Sequence, residues 1–212
     1  DIAAICLETM TGVNGVQSPP EKWYRKVQEL CDQYKISLIL DEVICGFGRS
    51  GKKFGFHHYP FLKPDFVCLS KAMTGGYVPF GAVFVTKEIA NYYDQNVLSC
   101  GLTNYAHPLG LAALNAVQEI NDDPKFWQHL ASLEKELDQF MTVNSSASIK
   151  MRRFGLMMAI EHDKDIKLSD FLDDGVYLVV KKGLIVIAPA LTMPISILKD
   201  GLEKVIRIIG GK

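Results

Sequence analysis

Residues 38–51 read LILDEVICGFGRSG, and residues 63–71 read KPDFVCLSK. In each, a short apolar run leads to one charged residue: Ile36 to Leu40 to Asp41, and Phe66 to Leu69, after one serine, to Lys71. Apolar runs of this length, bounded by Gly, Pro and polar turn residues, predict buried strands. In open α/β sheets the ligand crevice lies outside the carboxyl ends of the strands, so an Asp and a Lys delivered there are expected to serve one ligand. Taken singly, an Asp after a strand is ordinarily a turn residue and a Lys a solvated surface charge. The pairing at two strand ends carries the reading.

Upstream, DIAAICLE (1–8) predicts another buried strand, ending at Glu8. The polar turn TMTGVNGVQSPP follows, and Pro19 and Pro20 introduce a helix with Trp23, Val27, Leu30 and Tyr34 at amphipathic spacing. Strand, helix, strand is a βαβ unit, which favours parallel pairing with a right-handed crossover. GFGRSGKKFGFHHYP reads as a loop in which Gly46, Gly48, Gly51 and Gly55 are backbone punctuation, and it does not match GxGxxG.

Downstream, Gly75 and Gly76 break the chain before the strand-like FGAVFV, and Thr86 predicts the N-cap of a helix over TKEIANYYDQ. A further helix is expected from near His107 to Ile120. The cluster NDDP stops it and starts another, with Phe126, Leu130, Leu133, Leu137 and Phe140 on one stripe. IKMRRFGLMMAIE, GLIVIAP and ISILKDGLEKVIRII then predict short strands and a last helix. The expected organisation is α/β: a mostly parallel sheet in a large domain over 1–122, then a small C-terminal α+β domain over 123–212.

Hydrophobic residues make up 48% of the 212 and charged residues 22%, ordinary for a globular chain, and the net charge is −1. No basic excess points to nucleic acid, no apolar run approaches the roughly 18 residues needed to span a bilayer, and no signal peptide is expected. Cys6, Cys31, Cys45, Cys68 and Cys100 are scattered, lie mostly in apolar runs and form no metal-ligand spacing, so they read as core residues of a reducing compartment. The expectation is a soluble, cytoplasmic protein that engages neither membrane nor metal.

The blocks LILDEVICGFGRSG, KPDFVCLSKAMTGGYVPFGAV and GLTNYAHPLG, in this order and spacing, resemble the class III aminotransferases, enzymes of fold type I that depend on pyridoxal 5'-phosphate (PLP). The resemblance extends through RRFGLMMAIE and GLIVIAPALTM, and covers the C-terminal half of such an enzyme. It implies that Lys71 holds PLP as a Schiff base and moves the catalytic proton, and that Asp41 faces the pyridine nitrogen. It also implies that Val43 packs on the ring and that Thr103 binds the cofactor phosphate across a homodimer interface. Glu8 would stand at the strand end beneath the active site. The N-terminal half of the family, with the rest of the phosphate cradle, has no counterpart here, which suggests a fragment, a split gene product or a separate partner polypeptide.

Transaminases of this class that act on ornithine, acetylornithine or γ-aminobutyrate often pair a Glu with an Arg where this chain has Val13 and Val186. That departure suggests the ω-transaminase branch, which passes an amino group from an amine, ω-amino acid or taurine-like donor to an oxo acid such as pyruvate. Lys181 and Lys182 are candidate cations for a substrate carboxylate or sulfonate. The alternatives are a decarboxylase, racemase or aminomutase on the same scaffold, or an inactive half-length scaffold.

Overall fold

Four short strands, Ala4–Glu8 (β1), Ser37–Asp41 (β2), Phe66–Leu69 (β3) and Ala82–Val85 (β4), form one sheet in that order in the computed structural model, which describes residues 1–210. β1, β2 and β3 run parallel, and β4 returns antiparallel to β3. The crossover from β1 to β2 is helix α1, Glu21–Tyr34, which Lys35 ends in a left-handed conformation at φ 55°.

This sheet lies in the first of two compact units, made of Asp1–Thr9, Pro19–Phe47 and Lys52–Asp123. One face of it is closed over β2 and β3: Leu38 and Leu40 are fully buried, and Val67 and Leu69 nearly so, while Phe84 on β4 is exposed. The alternate positions are only half-buried at Ile39, Phe66 and Cys68, and exposed at Cys6, Val83 and Val85. The unit also holds α2 (Lys87–Gln95) and α3 (Pro108–Asp122), and the Thr86 hydroxyl accepts from the Ile89 N–H as the predicted cap.

The predicted stripe of α1 needs correction. Trp23 and Tyr34 are exposed, and the buried residues are Tyr24, Val27, Gln28 and Cys31. Two of these are polar and are buried because distant groups satisfy them. The Tyr24 hydroxyl donates to the Thr9 carbonyl at 2.5 Å, and the Gln28 side-chain oxygen accepts from the Lys63 N–H at 2.8 Å. Cys31 and Cys45 are buried as expected, whereas Cys6 and Cys100 are exposed.

The second unit comprises Met10–Ser18, Gly48–Gly51 and the chain from Pro124 onward. Its antiparallel sheet contains Lys150–Phe154 (β5), Met157–Glu161 (β6), Val179–Lys181 (β7) and Leu184–Ile187 (β8), in the order β5-β6-β8-β7. Helix α4, Pro124–Asn144, presents the predicted stripe of Leu130, Leu133, Leu137 and Phe140. These residues share one core with Met158, Ile160, Ile185 and, from α6 (Ile195–Gly210), Leu198, Leu202 and Val205. A short helix, α5 (Ser169–Leu172), was not anticipated.

Cations on backbone carbonyls hold the two outlying segments of this unit. Arg49 donates to the carbonyls of Leu156 at 3.1 Å and Pro189 at 2.7 Å, and its own carbonyl accepts from the Leu156 N–H at 2.8 Å. Burial lowers the Arg49 pKa to about 10. Arg152 donates to the Gly15 carbonyl and, at 2.5 Å, to Glu161, while Lys181 donates to the Val13 carbonyl at 2.8 Å.

Candidate active site

Three side chains stand in one row across the first sheet. Glu8 on β1 is the register partner of Asp41 on β2, and Asp41 that of Cys68 on β3. Because these strands are parallel, the row marks the carboxyl end of all three, where a crevice is expected. Lys71 follows Cys68 by three residues and opens a 3-10 turn, Lys71–Thr74, at φ 48°. A lysine in that region of backbone space is strained and is held by its surroundings. Here the Met73 N–H bonds the Ser70 carbonyl at 3.0 Å, and Gly75 closes the turn at φ 61°.

The half-buried Asp41 accepts one hydrogen bond, from the Val43 N–H to Oδ1 at 3.0 Å, the local turn that Asp commonly makes. The backbone beyond it is tied down by the Glu42 N–H, which donates to the Cys68 carbonyl at 2.9 Å. Among the described residues Asp41 Oδ2 and the exposed Lys71 amine make no hydrogen bond or ion pair. A carboxylate oxygen and a primary amine are thus uncommitted at the ends of two neighbouring parallel strands.

Thr103 is exposed in a turn ahead of α3, in a segment where Val97, Leu98, Leu102 and Tyr105 are exposed as well. Lys181 ends β7 and Lys182 opens the turn to β8, both in the second unit, with Lys181 already bound to the Val13 carbonyl. An apolar groove of about 210 Å³ in that unit is lined by Val176, Ile187, Pro189, Met193 and Leu198, and none of the predicted site residues lines it.

Sequence reasoning passed over Glu42. Its side chain is 1% exposed and takes three hydrogen bonds, from the Thr9 hydroxyl and the N–H groups of Gly55 and Phe56. Burial pushes its carboxyl above the ordinary range, and those three bonds act in the opposite direction. The one signal available was alternation: a residue next to an Asp that faces the crevice must face the other way, into the closed side of the sheet.

With this geometry established, comparison with known proteins is informative. Residues 1–209 match the family described as aminotransferase class III. The chain is 31% identical to the adenosylmethionine-8-amino-7-oxononanoate aminotransferase of Buchnera aphidicola, over 98% of this chain and 49% of that one. It is 36% identical to the omega-amino acid–pyruvate aminotransferase of Pseudomonas putida, over 76% of this chain and 38% of that one. Its structure superposes on taurine:2-oxoglutarate aminotransferase from Bifidobacterium kashiwanohense, solved in complex with PLP and glutamate. That match has a TM-score of 0.90 at 31% identity, over 98% of this chain and 51% of that one. The chain therefore spans about half the length of the relatives it matches, and its fold is that of fold type I. By sequence and by fold, it belongs to the class III aminotransferase family.

Proposed function

We propose that this chain carries the lysine and aspartate of a PLP-dependent ω-transaminase, which moves an amino group from an amine, ω-amino acid or taurine-like donor to an oxo acid. The observation that carries the reading is the placement of Asp41 and Lys71 at the same end of neighbouring parallel strands, each with an uncommitted polar atom. These residues fit PLP, which needs an amine to hold it and a carboxylate against its ring nitrogen. Bound PLP supplies an electron sink for the carbon that carries the amino group.

The roles of the chain's own groups follow. Lys71 Nζ holds the cofactor covalently and later carries the proton to and from the substrate carbon. Asp41 Oδ2 keeps a proton on the ring nitrogen, while the bond from Val43 N–H to Oδ1 fixes the carboxylate's rotation. Val43 packs on the ring, and Thr103 reaches the phosphate of a second copy in a homodimer. The exposed apolar residues around Thr103 support a covered surface there, since contiguous exposed apolar patches mark interaction sites.

One observation favours the ω branch: Val186 is 3% exposed in β8, where an unpaired arginine would be costly. The relatives themselves divide between enzymes named for ω-amino acid, taurine and γ-aminobutyrate donors. Glu8 borders the row at the crevice, and Lys182 remains the more available of the two candidate substrate cations. The open face of the first sheet, and its two edges, at which no further strand pairs among the described residues, support a further polypeptide that completes it, because parallel sheets are ordinarily covered on both faces.

The test is PLP titration of the chain followed by borohydride reduction and peptide mapping. Label at Lys71, lost in Lys71→Ala, is the expected result. Label on another lysine, or none, overturns the reading.

A further inference from the structure

Glu42 has no part in the chemistry assigned above, yet its surroundings are more fully specified than those of any residue assigned a role. Oε1 accepts from the Thr9 hydroxyl at 2.6 Å and from the Phe56 N–H at 2.9 Å, and Oε2 accepts from the Gly55 N–H at 2.6 Å. Thr9 directly follows Glu8, and Gly55 and Phe56 open the 3-10 turn Gly55–His58. Thr9 is held in turn by α1, through the Tyr24 hydroxyl on its carbonyl. Gly55 fits closely, for an added Cβ would lie 2.8 Å from Cys45 Cβ and 3.1 Å from both Glu42 Oε1 and Thr9 Cβ.

A carboxylate taken out of water is costly, and an apolar side chain of similar volume would fill the same space more cheaply. What an apolar residue cannot do is join three donors that come from two separate segments. An amide would do so incompletely, since its nitrogen accepts nothing. The carboxylate links the end of β1, the end of β2 and the turn that follows, and it does so one residue from each of the two acids at the crevice.

We propose that Glu42 is a positioning residue of the active site: by holding Thr9, Gly55 and Phe56 together, it sets how the ends of β1 and β2 present Glu8 and Asp41. This inference rests on the reading of Asp41 as the partner of the PLP ring nitrogen. Asp41 and Glu42 share a peptide bond, so a shift of the buried side chain rotates the strand end and moves Asp41 Oδ2 relative to its target. Loss of Glu42 should therefore resemble a weakened Asp41.

The experiment compares wild type, Asp41→Asn, Glu42→Gln, their double variant and Thr9→Val, all as the full chain titrated with PLP. Affinity and the pH dependence of the bound cofactor's absorbance are read, together with hydrogen exchange of the Val43 N–H and a thermal melt. Glu42→Gln is expected to weaken PLP binding about tenfold, as loss of a charge-assisted hydrogen bond would, and to speed Val43 exchange. It should also move the absorbance–pH curve in the same direction as Asp41→Asn. The double variant should bind no more weakly than Asp41→Asn alone, because both act through one group. Thr9→Val removes a single donor and should show a smaller change of the same sign, and it decides the matter if Glu42→Gln does not fold.

A lowered melting temperature with an unchanged absorbance–pH curve, or additive losses in the double variant, overturns the proposal while leaving the site reading intact. Unchanged PLP behaviour in Asp41→Asn overturns the site reading itself, and the positioning role with it.

Discussion

Asp41 on β2 and Cys68 on β3 are register partners, so Lys71, three residues beyond Cys68, leaves the sheet from the strand that directly adjoins Asp41. The amine and the carboxylate therefore reach the same end of the sheet without any long loop to bring them together. Strand ends are rigid relative to loops, which suits groups that must hold a ring and a proton in register.

Lys71→Ala should abolish covalent retention of PLP and lower transaminase turnover by about 10²–10⁴-fold, the usual contribution of a positioned proton-transfer group. Lys71→Arg should do the same, because a guanidinium cannot give up its proton at neutral pH. Single-turnover kinetics with an amine donor, beside a borohydride labelling control, measures both. Full turnover in either variant would sink the assignment.

Glu42 and Asp138 should shape stability in opposite senses as pH changes. Burial raises the folded-state pKa of Glu42 above its ordinary 4.5, so its contribution is present below that value and is lost as pH rises through the raised one. Asp138 is lowered from 3.8, first by its hydrogen bonds to Arg153 at 2.6 Å, so its contribution is present above 3.8 and is lost as pH falls through the lowered value. Urea midpoints measured across this range should lose the upper slope in Glu42→Gln and the lower one in Arg153→Met. Because Asp138 is mostly exposed, its pairing should account for no more than about 1 kcal/mol of the Arg153→Met loss at neutral pH, the rest coming from the bonds of Arg153 to Glu134 and the Gly155 carbonyl.

Gly155 turns the chain between β5 and β6 at φ 55°, and a Cβ there would lie 2.2 Å from the Ser50 carbonyl carbon. Gly155→Ala combines a left-handed backbone with a clash against main chain, and is expected to cost about 2–4 kcal/mol. Gly76 has φ 81° but nothing within 4 Å of the added carbon, so Gly76→Ala should cost only about 1 kcal/mol. Chemical denaturation of the pair separates backbone strain from overpacking, and equal losses would contradict the geometry.

Arg49→Ala leaves the Leu156 and Pro189 carbonyls without their donor, and each is a backbone acceptor that otherwise loses solvent as well. The expected loss is about 2–4 kcal/mol, with amide exchange rising at Leu156, whose N–H bonds the Arg49 carbonyl. Arg49→Lys should recover part of it: both bonds come from the single nitrogen Nη1, and an ammonium also donates to two acceptors from one nitrogen, but it is a compact, strongly hydrated charge at a different reach. Full recovery by lysine would mean that charge alone, not geometry, holds the segment.

What was legible in the sequence was local. The runs before Asp41 and Lys71 read as strands because a short, mostly apolar run that ends at a polar residue leaves few other options, and the α4 stripe read correctly because each of its buried members is apolar. The spacing of three motif blocks pointed to the family for the same reason. The tertiary structure decided what depends on partners far along the chain. Tyr24 and Gln28 could be buried on α1 only because Thr9 and Lys63 satisfy their polar atoms, so a stripe counted by hydrophobicity selected Trp23 and Tyr34 instead. Glu42 drew no reading from the sequence, because its place depends on Thr9, Gly55 and Phe56 closing around it. Met10–Ser18 and Gly48–Gly51 belong to the second unit because Arg152, Lys181 and Arg49 bind their surroundings across more than a hundred residues of sequence. Hydrophobic periodicity is written residue by residue, whereas the partner of a buried polar group is chosen only when the chain has folded.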